Sequence, residues 1–553
     1  MVVNYFDPLY GTRITISGFL GEVVQRSVEF RRHEHIRQLV CAYVIPEYSR
    51  AIHTRLEHML GTYYLCKTWV DEVLSYMRAL EEIREAPQFV PSIFKEFKVL
   101  DALELAAISH DIGHSAFSHL GELVVQEVEL ELSHDDISSL MLLDELDQYL
   151  RSYGLTNKSY LNLIEQSRVH MLSGEKISKV IDGFYRDERE ARDVRALAAL
   201  IIAPASRKFD NYRKLAEQVS SNIQSLSDDD LQLLRLLMNS EFDFDKLDYL
   251  NRDASYVGMP YVKPTMFVHF IIPIQSNGRW LLAIEKSEIR SLLIFIRSIM
   301  YSTVYNEPHV LAVEEVLKRA WLEACDYFRE KFDQEKIFEM WFSTDSDVAL
   351  LLKNYYNAVG ARYCKIAIEM LSRKQPYYQP VLRTSLFRLV DRYGIEKEKI
   401  NCLLDIIKIR GFIKSKVLHT IEHNIADRLG LGNYDLLIVV RSPRKFPETT
   451  VSLSVDKMLD TYVPVKPRDF DVHSFIFEPK EYEEVLKILL PQDLQEHIVH
   501  ITQCIKDLYW LTWTQLIVAL RSDRIHDLQK IREKVEEKLG EIVDELCKQT
   551  KQA

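Results

Sequence analysis

Through most of this chain, apolar residues recur at three- and four-residue steps, and little interrupts them: 553 residues contain only 17 Gly and 17 Pro. The pattern is clear in "LEHMLGTYYLCKTWVDEVLSYM" (56–77), "DDLQLLRLLMNSEFDFDKLDYLNRDA" (229–254) and "VLAVEEVLKRAWLEACDYF" (310–328). That spacing gathers apolar side chains on one side of a 3.6-residue helix, so residues 1–330 are expected to be mainly α. The exception is "MFVHFIIPIQSNGRWLLAIEKS" (266–287), two β-branched and aromatic runs around Asn277-Gly278, a dipeptide suited to a two-residue hairpin. The helical pattern resumes over 331–430. "YDLLIVVRSPRKFPETTVSLSV" (434–455) and "DVHSFIFEP" (471–479) then read as short strands of a small α+β unit at 431–490. Residues 491–553 are expected to be helical, ending in the charged amphipathic helix "DLQKIREKVEEKLGEIVDELCKQ" (527–549). The fold class is therefore mainly α, with a small hairpin in the helical core, a C-terminal α+β subdomain and a helical tail.

The 70 Lys and Arg against 82 Asp and Glu leave a net charge of −12, which argues against a general nucleic-acid binder but allows a local basic pocket. Seven scattered cysteines without a CxxC pair point away from a disulfide framework or thiolate zinc site, and towards a reducing cytoplasm. Asp7 and Arg13 break up any signal-peptide pattern, and no run of 18 apolar residues suggests a membrane span.

Four segments carry chemistry. "HTRLEHMLG" (53–61) puts Arg55 and His58 three apart, on one helix face. "SHDIGH" (109–114) follows an apolar helix and supplies His110, Asp111 and His114. "FSHLGE" (117–122) sets His119 and Glu122 at i, i+3, and "DFDKLDYLNRDASYVG" (243–258) steps Asp245, Tyr249 and Asp253 along one face. An HD dipeptide alone says little, since a second one occurs at 134–135. The order H, then HD, then D, each beside apolar helical sequence, says more. Two imidazoles and two carboxylates borne by three helices suit a divalent ion such as Mn, Mg, Fe or Zn. Such an ion polarises a phosphoryl group and acidifies bound water.

That order resembles the HD phosphohydrolase superfamily. Within it, the chain is similar to the deoxynucleoside triphosphate triphosphohydrolase branch, which includes bacterial dGTPase-like enzymes and the vertebrate enzyme that joins a sterile-alpha-motif to an HD domain. The motifs are "DPLYG" (7–11), "IRQL" (36–39), "RLEHMLG" (55–61), "HDIGHSAFSH" (110–119), "DFDKLDYLNRD" (243–253) and "IRSIMYSTVY" (296–305), so the resemblance covers residues 4 to 315. No sterile-alpha-motif domain is expected, because the HD region starts almost at residue 1. The resemblance implies an HD domain over 1–330 in which His58, His110, Asp111 and Asp245 hold the metal. It places His114, His119 and His134 around the α-phosphate, with Glu122 as a carboxylate partner. Arg55, Lys246 and Arg297 would neutralise the triphosphate, Gln38, Tyr249 and Asp253 would contact the sugar, and Tyr305 would line the nucleoside pocket.

Attack at the α-phosphorus would release triphosphate and a deoxynucleoside. Either His119 with Glu122 or His134 with Asp135 could serve as the acid/base pair. Two features depart from the family. Arg26 and Glu34 reverse the acid–base order of the guanine-nucleotide activator site, and Glu307 stands where a His is common, with His309 two residues on. The resemblance also implies a homo-oligomer, and it leaves open a regulatory nucleotide, a dGTP preference and antiphage dNTP depletion. Two other functions compete with this one: an HD hydrolase of another phosphoester, and a non-catalytic nucleotide sensor.

Overall fold

The computed structural model describes residues 1–441 apart from 85–89, 128–131, 154–158, 168, 205–208, 241, 277–278, 285–286, 326–333, 386–387, 390–391, 397–398 and 400–411, and then 474–476, 515–524 and 528–550. The fold is mainly α, with small antiparallel sheets. Among the described residues no helix is long and apolar enough to cross a membrane.

The chain opens with a hairpin that the helical reading of the first 330 residues did not include. Strands β1 (Val2–Asp7) and β2 (Thr12–Ser17) pair from Val2↔Ser17 to Asp7↔Thr12. Their turn is closed by Asp7, whose Oδ1 accepts the Leu9 N–H at 2.9 Å and the Tyr10 N–H at 3.2 Å. Gly11 follows with φ +63, a left-handed conformation that favours glycine.

Among the helices that position the site are α1 (Arg55–Thr68), α2 (Phe97–Ser109), α3 (Leu120–Glu127) and α4 (His134–Leu143). Helix α1 starts at Thr54, which forms a capping box with Glu57. In α2, Ala102, Leu103, Leu105, Ala106, Ala107 and Ile108 are all buried, so the helix bearing His110 at its end lies inside the core. The continuous pattern at 229–254 becomes two helices, Asp228–Leu236 and α5 (Phe244–Val257). Asp243 decides this break, because its side chain accepts the Lys246 N–H and caps α5.

Strands β3 (Ile271–Ser276) and β4 (Arg279–Ile284) pair with Ser276 opposite Arg279, while Asn277 and Gly278 lie outside the described residues. Beyond them come helices α6 (Ser287–Met300), α7 (Pro308–Ala324) and α8 (Gln334–Phe342). The C-terminal sheet reaches beyond the expected 431–490 unit. It is formed by β5 (Tyr378–Ser385), β6 (Leu436–Arg441) and β8 (Gln515–Arg521), in the order β5-β8-β6. The strand expected at 471–479 is represented by β7 (Ser474–Ile476), which pairs with β4 of the hairpin instead. The rest of 442–473 lies outside the described residues.

This sheet divides two cores by simple alternation. Leu437, Val439, Ile517 and Ala519 join the main core, while Leu436, Ile438, Val440, Leu516, Val518 and Leu520 join a smaller one with Leu418, Ile421, Ile542 and Leu546. The single tail helix expected at 527–549 is two, Leu528–Glu537 and Leu539–Thr550. Cys41, Cys66, Cys325 and Cys364 are buried free thiols, whereas Cys547 is disulfide-bonded, which the scattered spacing did not signal.

Candidate metal centre and phosphate site

Helices α1, α2 and α5 converge so that His58, His110 and Asp245 each bring a ligand atom within 4.8 Å of the others. His58 Nε2 lies 2.9 Å from Asp245 Oδ1 and 3.2 Å from His110 Nε2, and His110 Nε2 lies 3.4 Å from Asp245 Oδ1. Adjacent ligands of an octahedral ion at about 2.1 Å are about 3 Å apart, so this set fits a divalent cation. Asp111 flanks it, with Oδ2 3.5 Å from His58 Nε2 and Oδ1 3.5 Å from His110 Nε2.

The tautomers agree with that role. The Nδ1 of His110 faces the Ala107 carbonyl at 3.0 Å and that of His58 faces Asp248 Oδ2 at 2.8 Å. Both partners only accept, so Nδ1 carries the proton and Nε2 is left to bind. Burial opposes charge on His58, yet hydrogen bonds to Asp245 and Asp248 hold it up to about 10. With His110 also raised, the protein has built a cationic place among carboxylates that a metal ion would fill in place of protons.

On the far side of Asp111 lies a second cluster, His114, His119, Glu122 and His134. Glu122 Oε1 hydrogen-bonds His134 Nδ1, and its Oε2 lies 3.5 Å from His119 Nδ1. His134 Nε2 lies 3.0 Å from Asp135 Oδ1, so the two acid/base pairs read separately from the sequence form one group around Glu122. His114 stacks on His134 with ring centroids 3.8 Å apart, and its Nε2 lies 3.2 Å from Asp111 Oδ1. Burial opposes charge on Glu122, but His134 and His119 keep its carboxyl well below the usual range. Despite burial, Asp135 and Glu122 hold His134 well above the usual imidazole value. Burial and the Arg55 cation push His114 the other way, so it stays neutral.

The other expected residues border this centre. Arg55 donates from Nη1 to Asp111 Oδ2 at 2.5 Å. Lys246 is tied to Asp243 at 2.6 Å, and Arg297 lies over the Tyr301 ring, 5.7 Å from its centroid. Asp253 is fixed on both oxygens, by His53 Nε2 at 2.7 Å and by the Tyr305 hydroxyl at 2.7 Å. Tyr249 lies between the regions, its ring 6.2 Å from His58 and 6.3 Å from Tyr305. Gln38 is buried with its Oε1 unpartnered, and its N–H donates to the His53 carbonyl at 3.0 Å. Arg26, one of the two activator-site departures, pairs with Glu175 at 2.6 Å.

Sequence reasoning missed the residues that hold these groups. Asp248 accepts from Tyr10 OH at 2.7 Å and from Arg252 Nε at 2.8 Å, and Arg252 also donates to Asp7 at 2.7 Å. The four-residue step from Asp248 to Arg252 was visible, but not that it faces His58. His53 was equally visible, two residues before Arg55, but its partner is 200 residues away.

Residues 55–201, which carry His58, His110 and Asp111, match the HD-domain family model. The particular likeness is to the deoxynucleoside triphosphate triphosphohydrolase branch, at low identity. The chain is 23% identical over 405 residues to the deoxynucleoside triphosphate triphosphohydrolase SAMHD1 homolog of Dictyostelium discoideum, covering 70% of this chain and 62% of that one. The match thus spans less than two thirds of that relative. It is 21% identical over 393 residues to an HD domain-containing protein of Acanthamoeba polyphaga mimivirus, covering 69% of this chain and 72% of that one. A phosphohydrolase crystal structure from Bacteroides thetaiotaomicron shares the fold, with TM-score 0.51, 16% identity and coverage of 94% of this chain and 100% of that one. The HD-domain match and the His58–His110–Asp245 cluster support a phosphohydrolase with a metal-binding site.

Proposed function

We propose that the protein hydrolyses deoxynucleoside triphosphates to a deoxynucleoside and triphosphate, through water attack at the α-phosphorus, with a divalent ion held by His58, His110, Asp111 and Asp245. The observation that carries this reading is one shared residue. Asp111 stands between the His58–His110–Asp245 set and the His114–His119–Glu122–His134 cluster, 3.5 Å from His58 and 3.2 Å from His114. A phosphate bound at the first therefore meets the second.

When bound, the ion supplies Lewis acidity for a phosphoryl oxygen and a lower pKa for water. The chain's own residues supply the rest. Arg55, Lys246 and Arg297 offset the triphosphate charge. Cleavage of the bond to the 5′-oxygen needs a proton on the leaving group, and His134 or His119 provides it. Glu122 anchors both imidazoles, so either route relies on the same carboxylate. Asp253, immobilised by His53 and Tyr305, offers an acceptor for a sugar hydroxyl, beside Gln38 and Tyr249. A homo-oligomer, a regulatory nucleotide, a dGTP preference and dNTP depletion against phage rest on the resemblance alone.

The test is to incubate the full chain with each dNTP and Mn or Mg and to resolve triphosphate from pyrophosphate and phosphate. Triphosphate release that disappears in Asp111→Ala, with the helical circular dichroism retained, is expected. Turnover of monophosphates alone, or binding without turnover, would replace this function with one of its competitors.

A further inference from the structure

The loop that carries His114 is held from outside the HD domain. Gly113 and Ala116 belong to the segment joining α2 to α3, yet both bond to Trp341 at the end of α8. The Trp341 indole N–H donates to the Gly113 carbonyl at 2.9 Å, and the Ala116 N–H donates to the Trp341 carbonyl at 3.1 Å. The same indole lies against α3, because a Cβ built on Gly121 would sit 3.1 Å from Trp341 Cε3. Gly113 adjoins His114, and Gly121 adjoins Glu122. One buried ring thus touches the backbone beside two members of the phosphate-facing cluster.

Two further groups close the strap. Arg32, fully buried, donates from Nη1 to the Trp341 carbonyl at 3.0 Å and from Nη2 to the carbonyls of Ile112 and His114. Asp345 accepts the N–H of Phe117 on one oxygen and that of Arg37 on the other, at 2.6 and 2.9 Å. Between these anchors Phe117 and Ser118 have φ of 53 and 56, two consecutive left-handed residues that are not glycine. Such backbone costs energy and persists only where its surroundings impose it.

We propose that Trp341 is a positioning residue for the hydrolytic reaction, setting the distance between His114 and Glu122 through the indole bond to Gly113 and its contact with Gly121. This rests on the hydrolytic reading above. The physical argument is that a small displacement of reacting groups is costly, whereas a ring locked in a core moves little.

Trp341→Phe keeps a ring against Gly121 but cannot donate to Gly113. The control is Phe338→Leu, a buried position on the same helix away from that bond. In the 553-residue chain, Trp341→Phe is expected to lower kcat for triphosphate release roughly tenfold or more. Its KM should stay within about twofold of the wild type, as for a group acting on the transition state rather than on binding. Bound metal should be unchanged. The 15N imidazole signals of His114 and His134 should shift in Trp341→Phe and stay in place in Phe338→Leu. If both variants match in kcat and in those signals, the proposal is overturned. If the wild type turns over no dNTP, the hydrolytic reading fails, and the imidazole signals still decide whether Trp341 positions the cluster. Should Trp341→Phe not fold, Asp345→Asn probes the same strap by replacing one of two carboxylate acceptors with an amide donor.

Discussion

The Asp248 carboxylate lies 2.8 Å from His58 Nδ1, and that contact fixes which nitrogen of His58 is free for a metal ion. Asp248 is itself held by Tyr10 and Arg252, and neither oxygen is left to reorient. Replacing it with Asn keeps the shape but removes the charge that makes His58 a stronger donor. Metal affinity should fall by about 10- to 100-fold, as is usual when such an outer partner is lost. Titration of the metal-free protein with Mn, followed calorimetrically, measures it. An unchanged affinity would show that Asp248 serves stability alone.

Gly61 makes this approach possible. A Cβ there would lie 1.9 Å from Asp248 Oδ1 and 2.3 Å from Arg252 Nη2, inside a packed network. Gly61→Ala should therefore destabilise the protein by about 2 kcal/mol or more and weaken metal binding with it. Gly183 offers the contrast, because a Cβ there meets nothing within 4 Å. Gly183→Ala should leave stability unchanged or raise it by up to about 1 kcal/mol. Paired urea denaturation curves separate the two, and equal losses at both sites would refute the packing argument.

Asp345 makes stability depend on pH. Burial pushes its carboxyl up to about 7 from 3.8, although two backbone N–H groups favour the charged form. A carboxyl whose folded pKa is raised takes up its proton more readily in the folded state. Its contribution is therefore complete below pH 3.8 and is lost as pH rises towards 7. The stability difference between wild type and Asp345→Asn should shift against the wild type across that window and level off above it. Midpoints measured from pH 4 to 8 test this, and a difference that is flat with pH contradicts it.

Arg319 ties the two cores together. It is 1% exposed and donates to Glu315 at 2.9 Å, to Glu422 at 2.8 Å and to the Tyr363 hydroxyl at 2.6 Å. Arg319→Met leaves Glu422 buried without its close cation, while Glu315 keeps Lys318 at 2.7 Å, and breaking such a buried pair costs about 3–5 kcal/mol. Unfolding monitored by protease sensitivity should begin in the C-terminal part. Uniform resistance in the variant would mean that the network contributes little.

The helices and the list of ionisable residues were legible because both are local. Apolar periodicity located α1 and the apolar helix before His110, and the His58, His110-Asp111, Asp245 order singled out the residues that now stand within a few ångströms of each other. The β1–β2 hairpin was missed because two short strands beside a long helical run carry a weak periodic signal. The break at 237–243 was missed because Asp243 looks like any charged residue until its cap is seen. The β4–β7 pairing joins segments 190 residues apart, and no local pattern encodes a partner.

By itself, then, the sequence determined the helical character of the chain and the residue types offered to a metal and a phosphate, since helix period and ligand chemistry are properties of neighbouring residues. Only the tertiary structure decided that Glu122 serves both His119 and His134, that Asp248 orients His58, and that Trp341 braces Gly113. Those are contacts between distant segments, and distance along a chain says nothing of distance in a packed core.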